Sequence, residues 1–277
     1  MSGETHAAGA APEQLDILGH LLNHDYLEVP FINAPHIIDG NLPLPQFDPI
    51  WGIDLSITRH VVMMWIASAL LVGLLLAAFR RRELVPSGLG NFFESIVVFL
   101  RDEVVFATMG EGGRAYLPYL LTAFFFILSC NLLGLIPYAA TATGNVNVTA
   151  AMALMTFALT LGAGIRHNGF FGYFRSLVPH GLPLWLLPIM IPVELVSMFS
   201  RPFALCIRLF ANMIAGHMII LVFLGIIILL KALWLAPLSV AFAAAIYLLE
   251  IFIAFVQAFI FTMLSTLFIG MAAHPEH

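Results

Sequence analysis

An arginine deep inside an apolar stretch is the most unusual feature of this 277-residue sequence. Arg208 lies within Leu182 to Leu230, a mostly apolar run of 49 residues, and 23 positions before Lys231. A guanidinium group keeps its proton in proteins, and an arginine at the centre of a bilayer costs about 2.5–3.5 kcal/mol. Arg208 is therefore predicted to be a fixed positive charge that needs a carboxylate or a water-filled cavity. It cannot relay protons itself.

Small and polar residues share a helical face with Arg208, at steps of three and four positions. The members of this stripe are Glu194, Ser197, Arg201, Ala204, Arg208, Ala211, Asn212 and Ala215. Small residues let another helix approach closely, so the pattern fits a tight helix–helix contact. Such a contact alone does not need an intramembrane charge. The combination indicates a surface that slides against another element or exchanges ions with it.

A histidine and a glutamate are predicted to meet across two antiparallel helices. With a bend near Trp234, His217 lies 17 residues before it and Glu250 lies 16 residues after it. The same count places Arg208 near Gln257, and one face of the second helix carries Glu250, Ala254, Gln257, Phe261 and Ser265. A His–Glu pair in a membrane can hold and pass a proton, because both groups can titrate near neutral pH once partly buried. A lone His217 would instead fit a core histidine with one hydrogen bond.

Other candidates for chemistry are weak. His20 and His24 have the spacing of helical metal ligands, but no third ligand is evident. The sequence has no HExxH, no GxSxG and no Gly-rich phosphate loop, and its last aspartate is Asp102. A net charge of -5 offers no basic footprint for nucleic acid. We therefore expect no catalytic site of its own, no metal, no cofactor and no nucleic-acid partner.

Composition indicates an all-α polytopic membrane protein. Hydrophobic residues make up 61% of the chain and charged residues 10%, against about 45–50% and about 25% in soluble domains. Apolar runs predict membrane spans at about 61–79, 116–138 and 148–165. The more polar segment at about 88–108 is predicted to be an amphipathic helix on the membrane surface.

Two further segments, at about 188–230 and 236–273, are too long for upright spans. Each would form a helix about 60 Å long at about 1.5 Å per residue, whereas the hydrocarbon core is about 30 Å thick. The neighbourhoods of Arg201 and Glu250 contain no turn signal except Pro202. We therefore predict two long, strongly tilted helices, which brings the number of membrane-crossing helices to five.

The chain divides into an extramembrane segment at 1–58 and an integral membrane domain at 59–277. The first segment contains Leu15 to His24, which could form a short amphipathic helix. Three arginines at 80–82 end the first span, and the positive-inside rule places them in the cytoplasm. This orientation predicts a multi-pass membrane protein whose N-terminus lies outside and whose C-terminus lies in the cytoplasm.

The segment IRLFANMIAGH at 207–217 strongly resembles subunit a of the F-type ATP synthases, the membrane stator that faces the rotating c-ring. The family motif is matched by Arg208, Leu209, Phe210, Asn212, Met213, Ala215 and Gly216. Further matches are QAFIFTML at 257–264, NVNVTAAMAL at 145–154, and Ser200–Arg201–Pro202 preceded by Glu194 and Ser197. The resemblance covers roughly 60–275.

This resemblance implies a role for each of these polar residues. Arg208 would be the stator charge that prevents a short circuit between two proton half-channels. The entry half-channel would be lined by His217, Glu250, Asn212 and Gln257. The exit half-channel would be lined by Glu194 and Ser197. Some bacterial members have the glutamate first and the histidine second, whereas this chain has the order of the mitochondrial subunit.

The implied partners are the c-subunit ring, the b subunits of the peripheral stalk, the rest of the synthase and membrane lipid, with protons as the transported ion. Two other classes remain open on the residues alone. A self-contained proton or sodium antiporter would use Arg208 as a fixed counter-ion, but it predicts inverted repeats or broken helices, which the sequence lacks. A structural membrane anchor would leave Arg208 and the His–Glu pair without a role.

Overall fold

The computed structural model describes residues 26–28, 41–43, 57–80, 88–136, 141–176, 187–230, 234 and 236–273. The α-helices in these ranges are α1 Arg59–Ala78, α2 Leu89–Phe99, α3 Ala107–Met109, α4 Leu117–Gly134, α5 Val146–Asn168, α6 Phe170–Ser176, α7 Leu187–Leu230 and α8 Ala236–Ala273. The strands of this part of the chain, β1 Tyr26–Glu28 and β2 Asn41–Pro43, form one antiparallel pair. The helix predicted at Leu15 to His24 lies outside the described residues, as do Arg81, Arg82 and Lys231.

Five helices of the described part are long and apolar enough to cross a membrane, namely α1, α4, α5, α7 and α8. The all-α polytopic fold class is therefore confirmed. The last two helices are not divided into shorter spans. The first runs for 44 residues, through Pro192 and Pro202, and the second runs for 38 residues. At about 1.5 Å per residue their lengths are about 66 Å and 57 Å.

The helix ends differ by a few residues from the limits that the apolar runs suggest. The helix α4 stops at Gly134, four residues before the predicted limit. The helix α5 begins at Val146 because the side chain of Asn145 accepts a hydrogen bond from the backbone N–H of Asn147, at 2.9 Å. It ends before Gly169, whose φ of 71° suits glycine.

The predicted surface helix contains a change of helical geometry. After α2 the chain forms a π-helical segment, Leu100–Phe106, which leads into α3. Leu100 and Val104 of this segment are buried. Arg101 donates hydrogen bonds of 2.7 Å and 2.9 Å to Asp102, and these lower the pKa of that carboxyl. The segment therefore has an apolar face toward the bundle and a charged face away from it.

The core lies between α4, α5, α7 and α8, in which α8 packs against the other three helices and α5 also packs against α7. Its largest fully buried side chains include Leu120, Ile127, Leu209, Met213 and Phe261. In contrast, α1 packs mainly against α4 through Ala67 and Leu71. The remaining apolar residues of α1 are mostly exposed, as expected for a helix that faces lipid.

Candidate functional site

Arg208 lies on the open side of α7. Ala204, Arg208, Ala211 and Ala215 are all exposed, whereas Leu209 on the other side of the helix is buried. The described residues give the Arg208 guanidinium no hydrogen bond or ion pair. Since an arginine in a membrane needs a carboxylate or water, the stripe is a surface on which an acidic partner group can meet this charge.

Asn212 connects this surface with the interior. Its side-chain Nδ2 donates a hydrogen bond of 2.8 Å to Oε1 of Gln257, whose side chain is only 2% exposed. The spacing predicts Arg208 beside Gln257, but among the described residues no hydrogen bond joins these two. Gln257 lies on the buried face of α8, whereas Arg208 lies on the exposed face of α7.

His217 and Glu250 meet across α7 and α8, at the depth that their spacing predicts. Nδ1 of His217 lies 2.7 Å from Oε1 of Glu250, and the glutamate is 2% exposed. The approach depends on Gly216, because a Cβ atom added there would lie 2.5 Å from Oε1 of Glu250. The absence of a side chain at this position therefore lets the carboxylate lie against the backbone of α7.

The His217 ring is surrounded by hydrogen-bond acceptors. Nδ1 lies 3.0 Å from the Met213 carbonyl oxygen, and Nε2 lies 2.9 Å from the Gly134 carbonyl oxygen and 3.1 Å from Oγ1 of Thr141. Nδ1 is thus close to both the Met213 carbonyl oxygen and the Glu250 carboxylate, and within the described residues neither oxygen of Glu250 has a well-aligned hydrogen bond. A buried carboxylate in this state is costly unless it binds water or a proton.

A compact turn at residues 141–144 packs against the His217–Glu250 pair, and the sequence motifs do not predict this contact. Thr141 lies directly against Gly134, where an added Cβ would clash with its side chain. Thr143 donates a 2.7 Å hydrogen bond to Asn131, and both side chains are fully buried. Nδ1 of His60 lies 3.2 Å from the Thr141 carbonyl oxygen. The sequence after α4 is polar and free of charge, and this pattern predicts a loop but not its contact with His217.

A cavity of about 140 Å³ lies at the other end of the bundle, where α5 and α8 end. Its polar lining residues include Thr156, Thr160, Tyr173, Glu194 and Arg201. The carboxylate of Glu194 and the guanidinium of Arg201 are 3.8 Å apart. Several water molecules fit in this volume, and its polar groups can hydrogen-bond them. Ser197 is half-buried on α7 and is not among the lining residues.

Buried hydroxyl groups extend inward from this cavity. Oγ1 of Thr156 lies 2.7 Å from the Tyr119 hydroxyl and 3.4 Å from Oγ of Ser265. Ser265 belongs to the face of α8 that also carries Glu250 and Gln257, and all three side chains are buried. The polar face predicted for α8 therefore points into the bundle. Within the described ranges, no three His, Cys, Asp or Glu side chains are grouped as metal ligands.

Comparison with known proteins identifies one family. The family model for the ATP synthase A chain matches residues 61–270. The chain is 47% identical to ATP synthase subunit a of Chloroherpeton thalassium over 96% of this chain and 79% of that protein. It is 49% identical to ATP synthase subunit a 2 of Chlorobium luteolum, over 94% and 76%. It is 56% identical to ATP synthase subunit a of Anaeromyxobacter dehalogenans, over 79% and 58%.

The matched segment begins within α1 and ends within α8, so it includes every membrane-length helix of the described part. It also includes Arg208, the His217–Glu250 pair and all of the described cavity-lining residues except Met271 and Ala272. A match over this length, together with three relatives of at least 47% identity, is decisive. The chain belongs to the ATP synthase A chain family.

Proposed function

We propose that this chain is the proton-translocating stator subunit of an F-type ATP synthase, and that it carries protons to and from the carboxylates of a c-subunit ring. The observation that supports this most strongly is the position of Arg208. It is a permanent charge without a partner in the described part of the chain, on an exposed stripe of small residues. An ionised carboxylate on a rotating ring supplies the missing counter-charge.

The proton enters through the His217–Glu250 pair on the periplasmic side. Both groups can change charge, and the buried carboxylate has no aligned hydrogen bond in the described part of the chain. The Asn212–Gln257 hydrogen bond lies between this pair and the level of Arg208. These two amides cannot titrate, but they can order water molecules along the path. The proton then neutralises a ring carboxylate.

The proton leaves on the cytoplasmic side, through the cavity that contains Glu194. Ser197 lies about one helical turn after Glu194 on α7, and we propose that it belongs to the exit half-channel beside this cavity. Arg80 and Arg166 support this orientation, because the positive-inside rule places arginines near the ends of spans in the cytoplasm. The N-terminus is then periplasmic and the C-terminus cytoplasmic, in a bacterial inner membrane.

Arg208 keeps the two half-channels separate. It attracts a ring carboxylate only while that group is charged, so a site must be emptied on one side and refilled on the other. Each proton that crosses the membrane potential contributes about 2.3 kcal/mol per 100 mV. Because α7 and α8 are about twice the thickness of the hydrocarbon core, we propose that both are strongly tilted and lie alongside the ring.

Co-purification and cross-linking test this assignment. The full chain is expressed with its complex, Cys130 and Cys206 are replaced by serine, and Ala211→Cys is introduced on the Arg208 stripe. We expect disulfide cross-links to single cysteines on the outer helix of the small c subunit. The matched control is Leu76→Cys on the exposed face of α1, which should give no such product.

Recovery of the chain without c subunits, b subunits or the rest of the complex would contradict the proposal. So would an Ala211→Cys variant that assembles with the ring but cross-links no better than Leu76→Cys. An isolated chain that exchanges ions across vesicles would instead support a self-contained antiporter. An isolated chain with no transport activity would support a structural anchor.

A further inference from the structure

The first membrane helix contacts the turn that carries Thr141. His60 is the second residue of α1 and is 4% exposed, although it is separated from Thr141 by 81 positions in the sequence. Its Nδ1 lies 3.2 Å from the Thr141 carbonyl oxygen. A hydrogen bond between buried groups so far apart in sequence fixes the two elements relative to each other.

Thr141 in turn contacts the titrating ring. Its Oγ1 lies 3.1 Å from Nε2 of His217, on the ring edge opposite Glu250. The Thr141 side chain also lies directly against Gly134, whose carbonyl oxygen contacts the same Nε2. A small movement of this turn therefore changes the hydrogen-bond environment of the His217 ring.

We propose that His60 is a positioning residue for proton uptake, which holds the Thr141 carbonyl so that the Thr141 hydroxyl stays at Nε2 of His217. The inference rests on the proposed function. His60 does not itself pass the proton to His217, because a backbone carbonyl accepts a hydrogen bond but has no proton to release. Its effect is on how readily the ring accepts a proton from the periplasm.

The groups that face the His217 ring determine how the Thr141 contact affects its protonation. In the described part, α8 presents the Glu250 carboxylate, and the Tyr247 hydroxyl of the same helix donates a hydrogen bond to the Leu135 carbonyl oxygen. From α1 come His60 and its buried neighbour Arg59. The elements α4 and α7 offer carbonyl oxygens to the ring. Loss of Thr141 as one of these acceptors makes the protonated ring less favourable.

The test uses the complete complex in proteoliposomes and measures ATP synthesis while the pH on the proton-uptake side is varied. His60→Leu removes the hydrogen bond to Thr141. We expect half-maximal synthesis to need about a threefold to tenfold higher proton concentration, the size of one hydrogen bond, while the maximal rate in acid is retained. His60→Asn places an amide N–H where Nδ1 was, and we expect it to restore the wild-type profile.

Thr141→Val provides a second, independent variant, because it removes the hydroxyl and keeps the shape of the side chain. We expect the same shift as for His60→Leu, whereas Thr141→Ser should restore the wild-type profile. His167→Leu, at the exposed end of α5 away from this site, is the matched control and should leave the profile unchanged.

A purely structural role predicts a different result, namely less assembled complex or a lower maximal rate with no shift along the pH axis. That result, or a His60→Asn profile like that of His60→Leu, would overturn the proposal. An unshifted profile for Thr141→Val would do the same. The proposed function is tested separately in the same vesicles by Arg208→Ala, which abolishes synthesis whether or not His60 has this role.

Discussion

Gly216→Ala would add a methyl group at the point where α7 contacts the Glu250 carboxylate. Its Cβ would lie 2.5 Å from Oε1 of Glu250, about 0.9 Å inside the shortest ordinary contact of 3.4 Å. Overpacking of this kind costs about 1–3 kcal/mol. At about 1.4 kcal/mol per factor of ten, Gly216→Ala should reduce the population of the observed Glu250 position by about 5- to 150-fold.

Glu250 must then move away from His217, and the site loses the 2.7 Å contact between His217 Nδ1 and Glu250 Oε1. We expect ATP synthesis driven by an imposed proton gradient to fall by at least about fivefold. The assay uses membrane vesicles, with assembly monitored by the recovery of c subunits. Gly162→Ala is the matched control, because a Cβ at that position of α5 meets nothing within 4 Å.

A rescue experiment distinguishes displacement of Glu250 from damage to the helix. Glu250→Asp shortens the acidic side chain by one methylene, so the double variant Gly216→Ala/Glu250→Asp should recover part of the lost rate. Normal synthesis by an assembled Gly216→Ala complex would refute the argument. A loss that the shorter side chain makes worse would also count against it.

Three further changes test separate parts of the structure. Thr143→Val leaves the buried Asn131 oxygen unpaired and should destabilise the chain by about 1–3 kcal/mol, measured as a lower midpoint of thermal unfolding in detergent. Two hydrogen bonds from Arg101 stabilise the charged Asp102 carboxylate, and this stabilisation is lost as the pH falls through the lowered pKa of Asp102. Arg101→Gln removes these bonds and should raise the pKa of Asp102 toward its ordinary value. An unchanged carboxyl NMR titration would contradict this. Glu194→Gln removes the one carboxylate among the described residues that line the cavity and should slow ATP-driven proton pumping, whereas Glu194→Asp should retain most of it.

Helical periodicity and counting predicted much of the arrangement in the membrane. The position of His217 opposite Glu250 followed from equal distances to one bend, since two antiparallel helices rise at the same rate per residue. The same count gives only the depth of Arg208 and Gln257, because depth alone does not say which face of a helix a side chain occupies. The exposed stripe on α7 was predicted from small residues at steps of three and four.

Contacts between distant segments could not be predicted in this way. The hydrogen bond from His60 to Thr141 joins a helix end to a turn 81 residues later, and no periodic pattern connects them. The π-helical segment at Leu100–Phe106 contacts α8, which lies far away in the sequence. Several helices together form the cavity beside Glu194. The sequence therefore identifies single polar residues of its lining but does not predict the cavity itself.

The most direct test of the account is ATP-driven proton pumping by vesicles that contain the complete complex, with Arg208→Ala compared with wild type. The rotor–stator mechanism predicts that pumping is abolished while assembly and ATP hydrolysis by the soluble sector persist. It also predicts added passive proton leak under an imposed potential, because the charge that separates the half-channels is missing. Unchanged pumping by an assembled Arg208→Ala complex would contradict the rotor–stator mechanism.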